Sequence, residues 1–363
     1  CRSCWLVQAE AYSRAAELFN DEYAYFSSFS TAWMAHAGQY ATGMAERFSI
    51  GPQSFVVEIA SNDGYLLQFF KGMGVPCLGV EPTASTAAAA RQKGIETIEK
   101  FFDLNLAQEL VSRGKSADLM AANNVLAHVP DINDFVAGFA CLLKPQGVAT
   151  FEFPHLMQLI ERKQFDTIYH EHFSYLSFTA VERIFRENGL ATFDVEELET
   201  HGGSLRVFAQ RADSGRQPIG SAVRALLTRE ERAGLRRAEY YQGFQEQANQ
   251  VKRDFLAFLL EARRAGKNVA AYGAAAKGNT LLNFAGVRPD LLPFVVDKNP
   301  AKQGKFMPGS RIPIVDESRI REQKPDYVVV FPWNIKDEIV KQLAYVREWG
   351  GRFVTAVPRL EIE

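Results

Sequence analysis

A chain of 363 residues with 47% hydrophobic and 23% charged residues has a globular composition and the length for two or three domains. Its net charge of −2 gives no reason to expect binding to nucleic acid or a membrane surface, and no apolar run approaches the ~18 residues of a membrane span. Four cysteines cannot staple a chain of this size, and no leader segment is visible, so a reducing, cytoplasmic setting is expected.

Cys1 and Cys4 form a CxxC, half of a tetrahedral zinc site; a closed site would need ligands from elsewhere, since Cys77 and Cys141 sit singly in apolar surroundings and read as core thiols. Trp5–Val7 reads as a strand. Tyr23 and Tyr25 fall in a polar, aromatic loop and are either packing residues or a lid over a pocket. Ser30 is an N-cap for a helix whose apolar stripe is Trp33, Ala37, Tyr40, Ala41, Met44 and Phe48. His36 lies off that stripe and is expected in solvent.

Ser54–Ile59 is a short apolar run, read as a buried strand, followed by the small-residue turn Ala60–Gly64 and a helix. This strand, turn and helix unit brings backbone against a nucleotide-like ligand, although Ala60 and Asn62 stand where a GxGxxG would have glycine. The next strand, Cys77–Val80, ends in Glu81-Pro82, and an acid at that tip suits two ribose hydroxyls. The strand beginning at Asp118 runs into Asn123, Asn124, His128 and Asp131, polar groups at the carboxyl edge where ligands bind. Gly147–Pro154 is a further strand.

Phe165–Tyr175 reads F-D-T-I-Y-H-E-H-F-S-Y. Here Tyr169, His170, Glu171 and His172 make either an acid–base cluster or a metal hook. A helix over Thr179–Asn188 and strands over Ala191–Leu198 and Ser204–Gln210 follow, with His201-Gly202-Gly203 between them. Seven strands ending in such a hairpin, with an acid after the second, are the layout of class I S-adenosylmethionine methyltransferases. Of the other histidines, His128 is either beside the cofactor or a packed strand-end residue, and His155 reads as a loop residue.

Arg211–Pro218 is loop-like, and residues 221–264 are helical with Phe244, Val251, Phe255, Phe258 and Leu259 as a core stripe. Asn268–Tyr272 is a strand leading into Gly273–Thr280, a glycine-bounded turn whose N–H groups and Lys277 form a phosphate seat. Strands at Phe294–Asp297, Tyr327–Phe331 and Arg352–Thr355 complete a second Rossmann-like domain. Without a GxGxxG, nicotinamide is not expected there.

Together these stretches resemble the deoxysugar C-methyltransferases, which act on nucleotide-linked 4-keto-6-deoxysugars. The carriers are C-x-x-C-x-L-V-Q at Cys1 to Gln8, Y-x-Y-x-S at Tyr23 to Ser27, E-I-A-S-N-D-G at Glu58 to Gly64 and N-V-L-A-H-V-P-D at Asn124 to Asp131. To these add the Phe165–Tyr175 motif, H-G-G-S-L-R at His201 to Arg206, and G-A-A-A-K-G-N-T-L-L at Gly273 to Leu282. The match spans nearly the whole chain, in order. It departs from the family in lacking the first CxxC, and in Ala60 for the usual glycine, a change expected only to tighten the turn.

The resemblance implies a zinc-binding-like segment over 1–30, a methyltransferase domain over 31–210, a helical linker over 211–265 and a Rossmann-like domain over 266–363. It implies S-adenosylmethionine as cofactor, held by Glu58, Ala60, Asn62, Gly64, Glu81, Pro82 and Asn123, and structural zinc at Cys1 and Cys4. It further implies methylation at the carbon next to the ketone, usually C3, of a TDP-linked sugar. His172 is then the base, Tyr169 and Glu171 position the sugar or the imidazole, and Tyr23 and Asn124 lie near the ketone and the methyl donor. Lys277, Gly273, Asn279 and His201 would hold the sugar nucleotide. Methyl transfer to oxygen or nitrogen of a small molecule, or a non-catalytic sugar-nucleotide binder, are the competing functions.

Overall fold

The structure, a computed structural model, describes residues 1–20 and 25–363, so Tyr23 lies outside the described residues. The chain forms two compact units, one of Cys1–Met157 with His170–Tyr240, the other of Gln158–Tyr169 with Tyr241–Glu363. The stretch 211–265 is therefore divided between the units near residue 240. No helix of the described residues is long and apolar enough to cross a membrane.

In the first unit β1 (Val7–Gln8) begins after Trp5-Leu6. The large sheet is built from β2 (Val56–Ile59), β3 (Cys77–Val80), β4 (Thr97–Ile98), β5 (Ala117–Asn123) and β6 (Leu143–Pro154). After β7 (Ser174–Tyr175), which pairs with β1, it is completed by β8 (Leu190–Leu198) and β9 (Ser204–Arg211). Its order is β4-β3-β2-β5-β6-β9-β8, with β9 antiparallel to both neighbours. That is the layout expected of a class I methyltransferase. The central strands are apolar and covered on both faces, as parallel strands flanked by helices must be.

The helix Thr31–Phe48 starts as expected, with the Ser30 hydroxyl accepting from the Trp33 N–H at 3.2 Å, and it buries Ala37, Tyr40, Ala41 and Met44. His155, read as a loop residue, is instead fully buried, with Nε2 2.6 Å from Glu230 Oε1. Glu230, from the helix Ser221–Ala233, also accepts the N–H groups of Phe178 and Thr179 at 2.7 Å, and so satisfies open donors at the start of the helix Phe178–Glu187. The histidine sits at the end of β6 because a buried carboxylate needs a donor there.

The second unit holds β10 (Val269–Tyr272), β11 (Val295–Val296), β12 (Ile314–Val315), β13 (Tyr327–Val330), β14 (Arg352–Thr355) and β15 (Glu361–Ile362). They lie in the order β12-β11-β10-β13-β14-β15, parallel except for β15, and the order reverses between β10 and β13. Val251, Phe255, Phe258 and Leu259 of the helix Phe244–Arg264 are buried in this unit's core, the role expected for that stripe. Burying side chains of this size stabilises by ~1.5–3 kcal/mol each.

Candidate active site

The turn after β2 holds three left-handed residues within five positions. Ala60, Asn62 and Gly64 have φ of 57°, 49° and 76°. Gly64 alone tolerates this without cost, and Ile95 stands where its Cβ would go. Ala60 is held in the left-handed region, its N–H donating to Val80 O at 2.7 Å, so the alanine strains the turn rather than tightening it.

Glu81, at the tip of β3, accepts from the N–H groups of Asn62 at 2.9 Å and Thr83 at 3.0 Å. A carboxylate has room for about four hydrogen bonds, so it ties the turn together and keeps acceptor capacity for hydroxyls. The Asn62 side chain accepts from Ser27 N at 2.9 Å and donates to Tyr25 O at 3.0 Å, which fastens the Tyr25–Ser27 segment onto this turn. Burial pushes the Glu58 carboxyl well above its ordinary range, opposed by the Tyr65 hydroxyl and reinforced by the charges of Glu81 and Asp63.

S-adenosylmethionine fits here on the structure's own terms. Buried Ser61 Oγ, Asp63 Oδ1 and Asn123 Oδ1 have no hydrogen-bond partner among the described residues and lie on the turn and strand edge beside Glu81. A ligand rich in hydroxyls and charged ends would satisfy them.

At the end of β6 the sequence missed a polar cluster. Glu152 is fully buried, with Oε2 2.9 Å from His36 Nε2 and accepting from Arg206 Nη2 at 3.2 Å. Its Oε1 accepts from the Thr200 hydroxyl at 2.9 Å. Burial alone would raise this carboxyl, but the His36 imidazole, Arg206 and Thr200 hold it below the usual value. His36 is thus no solvated surface group: it is stacked on Trp33 at 4.8 Å and turned to the sheet edge. Asn124 Nδ2 lies 3.2 Å from His201 Nε2, and Trp33 also packs on His201 at 5.3 Å. One sequence signal was there to find, a glutamate inside the apolar run T-F-E-F-P.

His172 packs edge-on against His128 at 4.8 Å and lies 6.0 Å from the Tyr175 ring. The Phe173 N–H donates to Ala127 O at 2.8 Å, which docks the segment on the turn after β5. Burial lowers His128 to about 4, opposed by a hydrogen bond to the Glu171 backbone. His170 packs instead on Tyr12 at 5.1 Å. The unit boundary falls inside the motif: Glu171 and His172 belong to the first unit, Tyr169 to the second.

In the second unit the Gly273 turn follows β10, with φ 91° and Pro332 where a Cβ would be. Lys277 lies over the Trp333 ring at 4.4 Å and donates to Asn334 Oδ1 at 2.6 Å. Trp333 Nε1 donates to Asp166 Oδ2 at 2.7 Å. Burial brings Lys277 down to about 8 against the pull of Asp166, and raises Asp166 to about 6 against Lys277 and Trp333. Asn279, two residues onward in the same helix, has a buried side-chain oxygen without a partner among the described residues.

Structural zinc at Cys1 and Cys4 has no support among the described residues. Cys1 is exposed, Cys4 half-buried, both are free, and no group of three or more metal-ligating side chains occurs among the described residues.

A seven-stranded sheet of this order, with an acid at the tip of its second strand and open polar groups on the turn beside it, defines an S-adenosylmethionine-dependent methyltransferase. Residues 35–195 match a family described as a methyltransferase domain, and residues 199–358 one described as a C-methyltransferase C-terminal domain. The C-methyltransferase NovU of Streptomyces niveus is 34% identical over 358 residues, covering 99% of this chain and 85% of that relative. The chain belongs to this C-methyltransferase family.

A shorter match is the ubiquinone biosynthesis O-methyltransferase of Bradyrhizobium sp. (strain ORS 278), 31% identical over 96 residues, covering 26% of this chain and 37% of the relative. Among solved structures, the magnesium protoporphyrin IX methyltransferase of Synechocystis PCC 6803 with bound S-adenosylmethionine is 14% identical. It covers 49% of this chain and 79% of that one at a TM-score of 0.38, too slight a likeness to bear on function.

Proposed function

We propose that the enzyme methylates the carbon next to the ketone, C3, of a TDP-linked 4-keto-6-deoxysugar, with His172 as the base. Such a carbon is a poor nucleophile until its proton is removed and the neighbouring oxygen carries the developing enolate charge. The observation that carries this reading is the packing of His172 on His128. His128, at about 4, stays uncharged near neutrality, so His172 can accept a proton without facing a like charge.

S-adenosylmethionine, when bound, supplies the electrophilic methyl. Glu58, Ala60, Asn62, Gly64, Glu81, Pro82 and Asn123 are the residues we assign to hold it, and Asn124 lies beside them at the end of β5. Tyr169 and Glu171 are assigned to orient the sugar or the base, Tyr23 to lie near the ketone and the methyl donor, His201 to reach the sugar, and Gly273, Lys277 and Asn279 to hold the diphosphate. A sugar-nucleotide substrate supports the cytoplasmic setting we propose for the enzyme.

The test is to incubate the enzyme with a TDP-4-keto-6-deoxysugar in deuterium oxide without methyl donor, then add the donor. Exchange at the carbon next to the ketone, a methylated sugar on adding donor, and a ~10²–10⁴-fold loss of both in His172→Ala are expected. Methyl transfer to an oxygen with no carbon-bound exchange would sink the assignment.

A further inference from the structure

Two residues at the methyl-donor edge hold left-handed backbone and face each other: Asn124 with φ 55° and His201 with φ 53°, their side chains 3.2 Å apart. Non-glycine residues in this region cost of order 1–3 kcal/mol and persist only where the surroundings over-determine them. Both are tied to the same buried residue. The Asn124 N–H donates to the Glu152 backbone carbonyl at 2.7 Å. The turn that carries His201 is held by Thr200, whose hydroxyl donates to Glu152 Oε1 at 2.9 Å.

The other carboxylate oxygen of Glu152 is engaged by His36 and Arg206, and Arg206 is anchored in turn on Glu196 at 3.1 Å. Trp33 closes the circuit, packing on His36 at 4.8 Å and on His201 at 5.3 Å. A carboxylate taken out of water is retained only where its partners saturate it. Here each partner leads to the Asn124–His201 pair or to the β9 strand beside it.

We propose that Glu152 is a positioning residue for methyl transfer: through Thr200 on one oxygen, and His36 and Arg206 on the other, it holds His201 against Asn124. This deepens the function proposed above and rests on it, since Asn124 and His201 are there assigned to the donor and the sugar. Small displacements of such groups matter, because a misplacement of about 1 Å can cost ~10²-fold in rate.

Removing Glu152 itself risks the fold, so the test is made one bond away, in the full-length enzyme. Thr200→Val deletes the hydroxyl with little change of volume, and Thr200→Ser keeps it. Thr200→Val is expected to lower kcat by ~10–100-fold, and to move the His201 ring-nitrogen resonance in a ¹⁵N-histidine spectrum of the ligand-free protein. Thr200→Ser should restore both. Wild-type kcat with an unmoved resonance in Thr200→Val, or equal losses in the two variants, overturns the proposal. A wild-type enzyme that methylates no keto-sugar sinks the proposed function instead, and the resonance then decides the positioning of His201 alone.

Discussion

His155 Nε2 and Glu230 Oε1 lie 2.6 Å apart, and neither side chain reaches solvent. Burial alone would raise the Glu230 carboxyl, but the imidazole and the Thr179 N–H hold it below its ordinary value. A depressed carboxylate contributes stability that is present above its unfolded value of about 4.3 and is lost as pH falls through the folded one. Acid should therefore weaken the first unit only below about pH 4.3, where the unfolded carboxyl begins to bind its proton. Glu230→Gln should cost ~3–5 kcal/mol, the range for breaking a buried pair from one side, and urea denaturation at pH 7 reads it directly. A loss under ~1 kcal/mol would show that the pair does not hold these elements together.

Relief of strain at Ala60 is a second consequence. A left-handed alanine costs ~1–2 kcal/mol, and the flexibility of glycine in the unfolded chain returns part of that. Ala60→Gly should stabilise by about 0.5–1 kcal/mol and raise the melting temperature. An unchanged or lower melting temperature would mean that contacts of the methyl group offset the strain.

The two backbone bonds of Glu81 predict that it acts on the turn as well as on any ligand. Hydrogen bonds to a charged group contribute ~1.5–3 kcal/mol, so Glu81→Ala should weaken S-adenosylmethionine binding by about 10–100-fold. Glu81→Gln, which keeps one acceptor oxygen, should fall between. Calorimetric titration of the three proteins measures this, and equal affinities would remove Glu81 from the donor site.

Asp166 and Lys277 make the second unit sensitive to pH. The folded value of Asp166, about 6, lies above its unfolded one, so the folded unit binds the extra proton and its stability falls as pH rises from about 4 to 6. Lys277, at about 8, is depressed, so stability rises again between about 8 and 10.4. Asp166→Asn should abolish the acid-side slope and lower Lys277 further, since the carboxylate is what holds the lysine up. Urea midpoints from pH 4 to 10 follow both changes; a slope below pH 6 that survives in Asp166→Asn would assign it to another group.

Much of this architecture was legible in the chain itself. Apolar runs at Val56–Ile59, Cys77–Val80 and Tyr327–Val330 are long enough only for strands covered on both faces, and small residues after them demand tight turns. Glu81 at a strand tip and the stripe from Val251 to Leu259 were visible by the same periodicities. What stayed hidden were partners far apart in sequence: His36 with Glu152, His155 with Glu230, and Asp166 with Lys277 by way of Trp333. A lone histidine or acid reads as solvated because water is its cheapest partner, and only folding brings a buried counter-group close. Local backbone preference and hydrophobic period thus determined the strands, helices and turns. Burial, which makes every unpaired polar group costly, decided which of the charged side chains would meet.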